Sequence, residues 1–250
     1  MSKDKYENLK QQWEDFCNNN DNCIGEAQTQ YNDFIKKFPK QKPTISENQE
    51  VICNGIANIQ LEQYTNLLQN EYFTNWVERK TKACGSLGAT YSKYGIKRNA
   101  PSEPESYKNT LNNTDFQNKQ EAEQYFSNTI LPQIKMLVDF EDNYKIDTEE
   151  KSNLTMDIRF SRKVAYLYNP DQLLPIFKND VIAAMAKFFD VEDKVDLKSY
   201  KVTELLLKKI CDVFGIQLQR VDFCITQKLM RFLYPKFENS FLLELNMILH

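Results

Sequence analysis

The chain has 250 residues, 41 % of them apolar and 12 % aromatic, and 32 basic against 35 acidic side chains leave a net charge of -3. That length buries one large core or two small ones, and the composition excludes a disordered chain. No run of about 18 apolar residues is present, so no transmembrane helix is expected. The polar start MSKDKYENLKQQWEDF lacks the apolar stretch of a secretory signal and reads as cytoplasmic.

Leu9, Trp13, Phe16 and Cys17 recur at helical spacing, and Asn18 to Asn22 break the pattern. Ala27, Tyr31, Phe34, Ile35 and Phe38 resume it, so two helices are expected between 5 and 38. PKQKPT is a connector, and a further helix is expected from Val51 to Ile59. Residues 99–118, rich in Pro, Ser and Asn, read as a polar loop. Ala122, Phe126, Ile130, Ile134 and Leu137 mark a long helix with a kink at Pro132. RKVAYLYN, Arg162 to Asn169, is apolar, aromatic and β-branched, and reads as a central strand, with LLPIF a short extended piece after it. Helices are expected at 180–189, 201–214, 222–233 and 240–249, with Asp222 and Thr226 starting the third. The fold class is α+β: a small, mostly antiparallel sheet, built from the segment near position 90 and the 157–169 strand, packed by helices that dominate overall. The expected divisions are an N-terminal helical segment over 1–60, an α+β recognition-type domain over 61–235, and a C-terminal helix or linker over 236–250.

Several chemistries lack their residues. The only histidine is His250, at the end of the chain, so histidine catalysis is not expected. The six cysteines are scattered without a C-x-x-C pair, against a zinc site, and read as reduced thiols. No G-K-[ST] follows the glycines, so there is no P-loop, and the Rossmann spacing is missing. No cofactor is expected. Glu78 and Lys80 stand two residues apart, as in some metal-dependent nucleases, but such triplets are common on helix surfaces.

The segment ERKTKACGSLGATYSKYGIKR is different. From Tyr72 to Ala100 six bases face one acid, while six acids face one lysine from Asp139 to Glu150, so a near-neutral sum hides a dipolar chain. Phosphate binding needs cations and exposed backbone N–H groups. Lys80, Lys82, Lys93, Lys97 and Arg98 offer the charge, and Ser86 with Gly85 and Gly88 the backbone. Trp76, Tyr91 and Tyr94 offer flat faces for a base. The alternative is a tight turn with a solvated face and core aromatics.

LEQYTN, YFTNWVERKTKACGSLGATYSKYGIKR, RKVAYLYNPDQLLPIF and LMRFLYP follow one another in an order that resembles the N-terminal domain preceding the AAA+ GTPase motor in Mcr-type (modified-cytosine-specific) restriction proteins. The likeness covers Leu61 to Pro235 and rests on a W-x-E-x-K-T element, a G-S-[IL]-G turn, a [FY]-G-I strand and a K-[VI]-A-Y-L-Y strand ahead of P-I-[FY]. The chain departs from it in Ala89-Thr90-Tyr91, where relatives run in glycine, and in having no motor after Tyr234. The resemblance implies a non-catalytic DNA-binding specificity module of a bacterial antiviral restriction system, partnered by duplex DNA and by an AAA+ GTPase or ATPase motor and a nuclease subunit. A methylated cytosine would be flipped between Trp76 and Tyr94. Two other readings stay open: an adaptor linking a motor to a nuclease, and a Mg²⁺-dependent endonuclease using Glu78 and Lys80.

Overall fold

The computed structural model describes residues 2–20, 24–42, 51–65, 70–87, 94–99, 106–140 and 154–238. The two N-terminal helices form as expected, α1 over Ser2–Asn19 and α2 over Gly25–Lys37. No helix spans 51–59; only a 3-10 turn, Ile56–Asn58, forms there. A short α3 (Leu61–Thr65) and a single turn α4 (Phe73–Asn75) lead into a π-turn at Trp76–Lys80, which carries the W-x-E-x-K motif.

The sheet has three strands in the order β1 (Ile96–Arg98), β2 (Tyr107–Asn109) and β3 (Thr114–Asp115), all antiparallel. This confirms the α+β, mainly helical class with its small antiparallel sheet but corrects the membership. β2 and β3 come from the stretch read as a polar loop, and the 157–169 segment contributes no strand. Residues 158–168 form a helix instead, α7 (Ile158–Tyr168). Every residue from Phe160 to Tyr168 is buried. Its second half, Val164–Tyr168, is an uninterrupted apolar and largely aromatic run, and a run that short fits a core strand and a buried helix segment alike.

The long helix around Pro132 forms as expected and carries a π-turn just before the proline. It runs as α5 (Lys119–Tyr125), a π-turn at Phe126–Ile130, then α6 (Leu131–Asp139). Pro132 lies just after the π-turn, whose wider turn accommodates a residue without an N–H inside the helix. Asn118 caps α5 through the Glu121 N–H at 2.9 Å. After irregular 173–177 come α8 (Asn179–Phe188), α9 (Val202–Phe214) and α10 (Phe223–Glu238). Asp222 starts α10 as expected, accepting the Ile225 N–H at 2.8 Å. The expected helix at 240–249 lies outside the described residues.

Two apolar cores form. One gathers α2, α3, the π-turns, the inner sheet face and α7; the other gathers α1, α8, α9 and α10. Residues 1–60 are shared between them. Trp13 of α1 stacks on Phe214 at 5.4 Å and meets Phe232 edge-on, whereas Phe34 of α2 lies against Phe73 and Tyr168.

Arg162 of α7 ties the two cores together. Its buried guanidinium donates to the carbonyls of Phe177, Leu197 and Ser199 and to Asn179 Oδ1. Burial lowers its pKa to about 10, which leaves it charged at neutral pH. Among the described residues no helix is long and apolar enough to cross a membrane.

Candidate nucleic-acid interface

The basic segment divides into parts with different fates. Trp76 is 6 % exposed, packed edge-on against Phe38, and its Nε1 donates to Glu71 Oε2 at 2.8 Å. The ammonium groups of Lys37 and Lys80 each lie 5.6 Å from the indole centroid and 3.3 Å from a Glu71 oxygen. Burial opposes ionisation of Glu71, but the hydrogen bonds from Trp76, Lys37 and Lys80 outweigh it and hold its carboxyl below the usual range. Lys80 is therefore half neutralised where it stands.

Tyr94 is 8 % exposed, its ring tilted against Phe160 at 4.7 Å, and its carbonyl accepts the Tyr64 hydroxyl at 2.7 Å. Burial and the neighbouring Glu78 carboxylate raise its phenol pKa. A base stacked on Trp76 or Tyr94 would have to displace core side chains. Tyr91, Lys93 and Gly88 lie outside the described residues.

Gly85 does not lend its N–H to a ligand, because that N–H donates to the Lys82 carbonyl at 3.2 Å. Its φ of +126° and its packing explain the glycine: a Cβ there would come within 2.8 Å of Phe177 Cε2 and 2.9 Å of the Pro175 carbonyl oxygen. Arg79, Lys82 and Ser86 are exposed.

Glu78 and Lys80 do not converge. Glu78 is half-buried on the Tyr94 and Lys163 side, while Lys80 turns to Glu71. Among the described residues no cluster of three or more His, Cys, Asp or Glu is placed to hold a metal ion.

The sheet sorts the remaining cations by alternation. Ile96 and Arg98 share the inner face with Asn109 and Tyr107. Arg98 approaches Glu62, and its Nε is buried without a hydrogen-bond partner. Burial opposes ionisation of Glu62, yet Lys119 at 2.6 Å and Arg98 together hold its carboxyl low.

Lys97 points to the other face and stands directly opposite Lys108 of β2, which stands opposite Asp115 of β3. Both lysines are half-buried, their stems lying along the sheet. Asp115 lies 3.8 Å from Lys108 and accepts a hydrogen bond from Asn99 at 3.0 Å. Among the described residues no carboxylate pairs with Lys97. Like charges directly opposed across a strand pair are destabilising.

The structure thus brings Lys97 together with Lys108, which sequence reasoning left in a loop. The available signal was LNN, a turn-prone tip between the short polar-apolar alternations YKN and TDF. Searched against family models, curated proteins and solved structures, the chain matches none of them.

Proposed function

We propose that the chain is a duplex-DNA-binding module, without catalytic chemistry of its own, that serves as the target-recognition part of a bacterial restriction assembly. The observation that carries the DNA reading is the Lys97–Lys108 pair, two cations held opposite each other with one carboxylate beside them and solvent-facing Arg79 and Lys82 on the same chain. A polyanion relieves that repulsion, and released counterions supply the binding free energy. The order of W-x-E-x-K-T, G-S-L-G and K-V-A-Y-L-Y supports the restriction setting, in which a motor and a nuclease, on a separate chain or in a C-terminal part of a longer protein, supply the chemistry.

The test is an anisotropy titration over a range of salt with unmodified, methylated and hydroxymethylated duplexes, with and without Mg²⁺. Binding is expected in every case without cleavage. The triple variant Lys82→Ala, Lys97→Ala, Lys108→Ala should flatten the log–log salt slope by about 0.9 for each phosphate it no longer neutralises. Absence of duplex affinity at physiological salt would remove this reading and favour the adaptor. Mg²⁺-dependent cleavage that disappears in Glu78→Ala would favour the endonuclease.

A further inference from the structure

The β2–β3 hairpin ends in a tip that the core does not explain. Leu111 is 67 % exposed, the most exposed large apolar side chain among the described residues. A lone exposed leucine is ordinary on a protein surface. What sets this one apart is the way it is held and what stands behind it.

The turn is braced on both sides. The Leu111 N–H donates to Asn109 Oδ1 at 2.9 Å, and Asn112 Oδ1 accepts both the N–H and the hydroxyl of Thr114. The Thr110 N–H reaches the Gly95 carbonyl at 3.1 Å, and the Gly95 N–H returns to Thr110 Oγ1 at 2.9 Å. Asn113 takes the left-handed conformation, φ +60°, and is exposed beside Leu111. The tip is thus fixed while its apolar and amide groups face outward. Behind it Lys108 of β2 stands opposite Lys97 of the neighbouring β1, with Asp115 of β3 offsetting Lys108.

We infer that the β2–β3 hairpin is the element that enters the major groove of duplex DNA, with Leu111 and Asn113 at the base edges and Lys97 and Lys108 on the flanking phosphates. The inference rests on the duplex-DNA reading above and names the part of the chain that carries it. A major groove about 12 Å wide admits a two-stranded ribbon, whereas a minor groove about 6 Å wide does not admit the ribbon with its side chains. An apolar tip matches the thymine C5-methyl group, and an asparagine amide matches the adenine N6/N7 edge, so A·T pairs are the targets.

The experiment compares affinities for an A·T-rich duplex, the same duplex with uracil replacing thymine, and a G·C-rich duplex of equal length. The wild-type protein is expected to prefer the thymine duplex by about four-fold for each methyl group it covers. Leu111→Ala should abolish the thymine-over-uracil ratio and keep the salt slope. Asn113→Gly, which keeps the left-handed turn, should reduce the A·T-over-G·C ratio. Lys97→Ala with Lys108→Ala should lower the salt slope by about two and keep both ratios. Thermal melting verifies that these surface variants fold.

A thymine-over-uracil ratio that survives Leu111→Ala, or a wild type that binds all three duplexes equally, overturns the hairpin assignment and leaves duplex binding standing. A wild type that binds no duplex overturns both.

Discussion

Glu71 sets how much of the basic segment's charge reaches solvent. One carboxylate accepts the Trp76 indole N–H and faces both Lys37 and Lys80, so it neutralises two cations and anchors a core aromatic. Glu71→Gln keeps an acceptor for the indole and removes the negative charge. The expected outcome is tighter duplex binding with a steeper salt dependence, read by anisotropy, and a stability loss of about 1–2 kcal/mol, because the pairs are partly buried and the charge-assisted indole hydrogen bond becomes a neutral one. In the sequence Lys80 is one of several cations. Its partner lies nine positions earlier and Lys37 comes from α2, so only the path of the chain reveals the cluster.

At the scale of elements, α7 shows how a short apolar, aromatic run inside a helix reads as a strand. Asp157 caps its N-terminus, accepting the Arg159 N–H at 2.8 Å, and Asn169 closes its C-terminus. The Asn169 side-chain amide donates to the carbonyls of Leu137, Val138 and Ala165, so one residue satisfies the ends of both α6 and α7. Asn169→Ala removes the side-chain donor from the Leu137 and Val138 carbonyls, while Ala165 keeps the Asn169 backbone N–H, and is expected to cost about 1–3 kcal/mol. Urea unfolding should show a lower midpoint with an unchanged slope, since the surface exposed on unfolding is the same. The asparagine before Pro170 was readable as a boundary. Its long-range role was not, because those carbonyls belong to a helix some thirty residues away.

For the whole molecule, the buried ionisable groups dictate how stability varies with pH. Lys163 is fully buried on α7, donating to the Thr81 carbonyl at 2.9 Å with Cys84 and Glu78 nearby, and burial lowers its pKa to about 7. Between about pH 7 and its ordinary value of 10.5 the unfolded chain carries a proton there that the folded protein does not, so stability rises with pH. Burial raises Cys53 and Cys211 to about 11 and Cys84 to about 12. Above their ordinary value of 9.0 the unfolded chain loses protons that the folded one keeps, so stability falls. Thermal and urea unfolding should therefore show stability climbing by about 1.4 kcal/mol per pH unit above pH 7 and turning over near pH 9. In Lys163→Met the climb should vanish and the alkaline fall remain. A flat profile in the wild-type protein would contradict a buried, neutralised Lys163.

The sequence by itself determined the elements whose burial is one-sided. The stripes of α1, α2, α5 and α6 were legible because an amphipathic helix writes its period into the chain, and the Asp222 start of α10 because a capping residue is local. Only the tertiary structure decided that Arg162 to Tyr168 is a helix, since a short apolar run fits a buried strand and a buried helix segment alike. It alone paired Lys97 with Lys108, turned Arg98 inward and set Lys80 on Glu71, because which charges meet depends on strand register and chain path rather than on local composition.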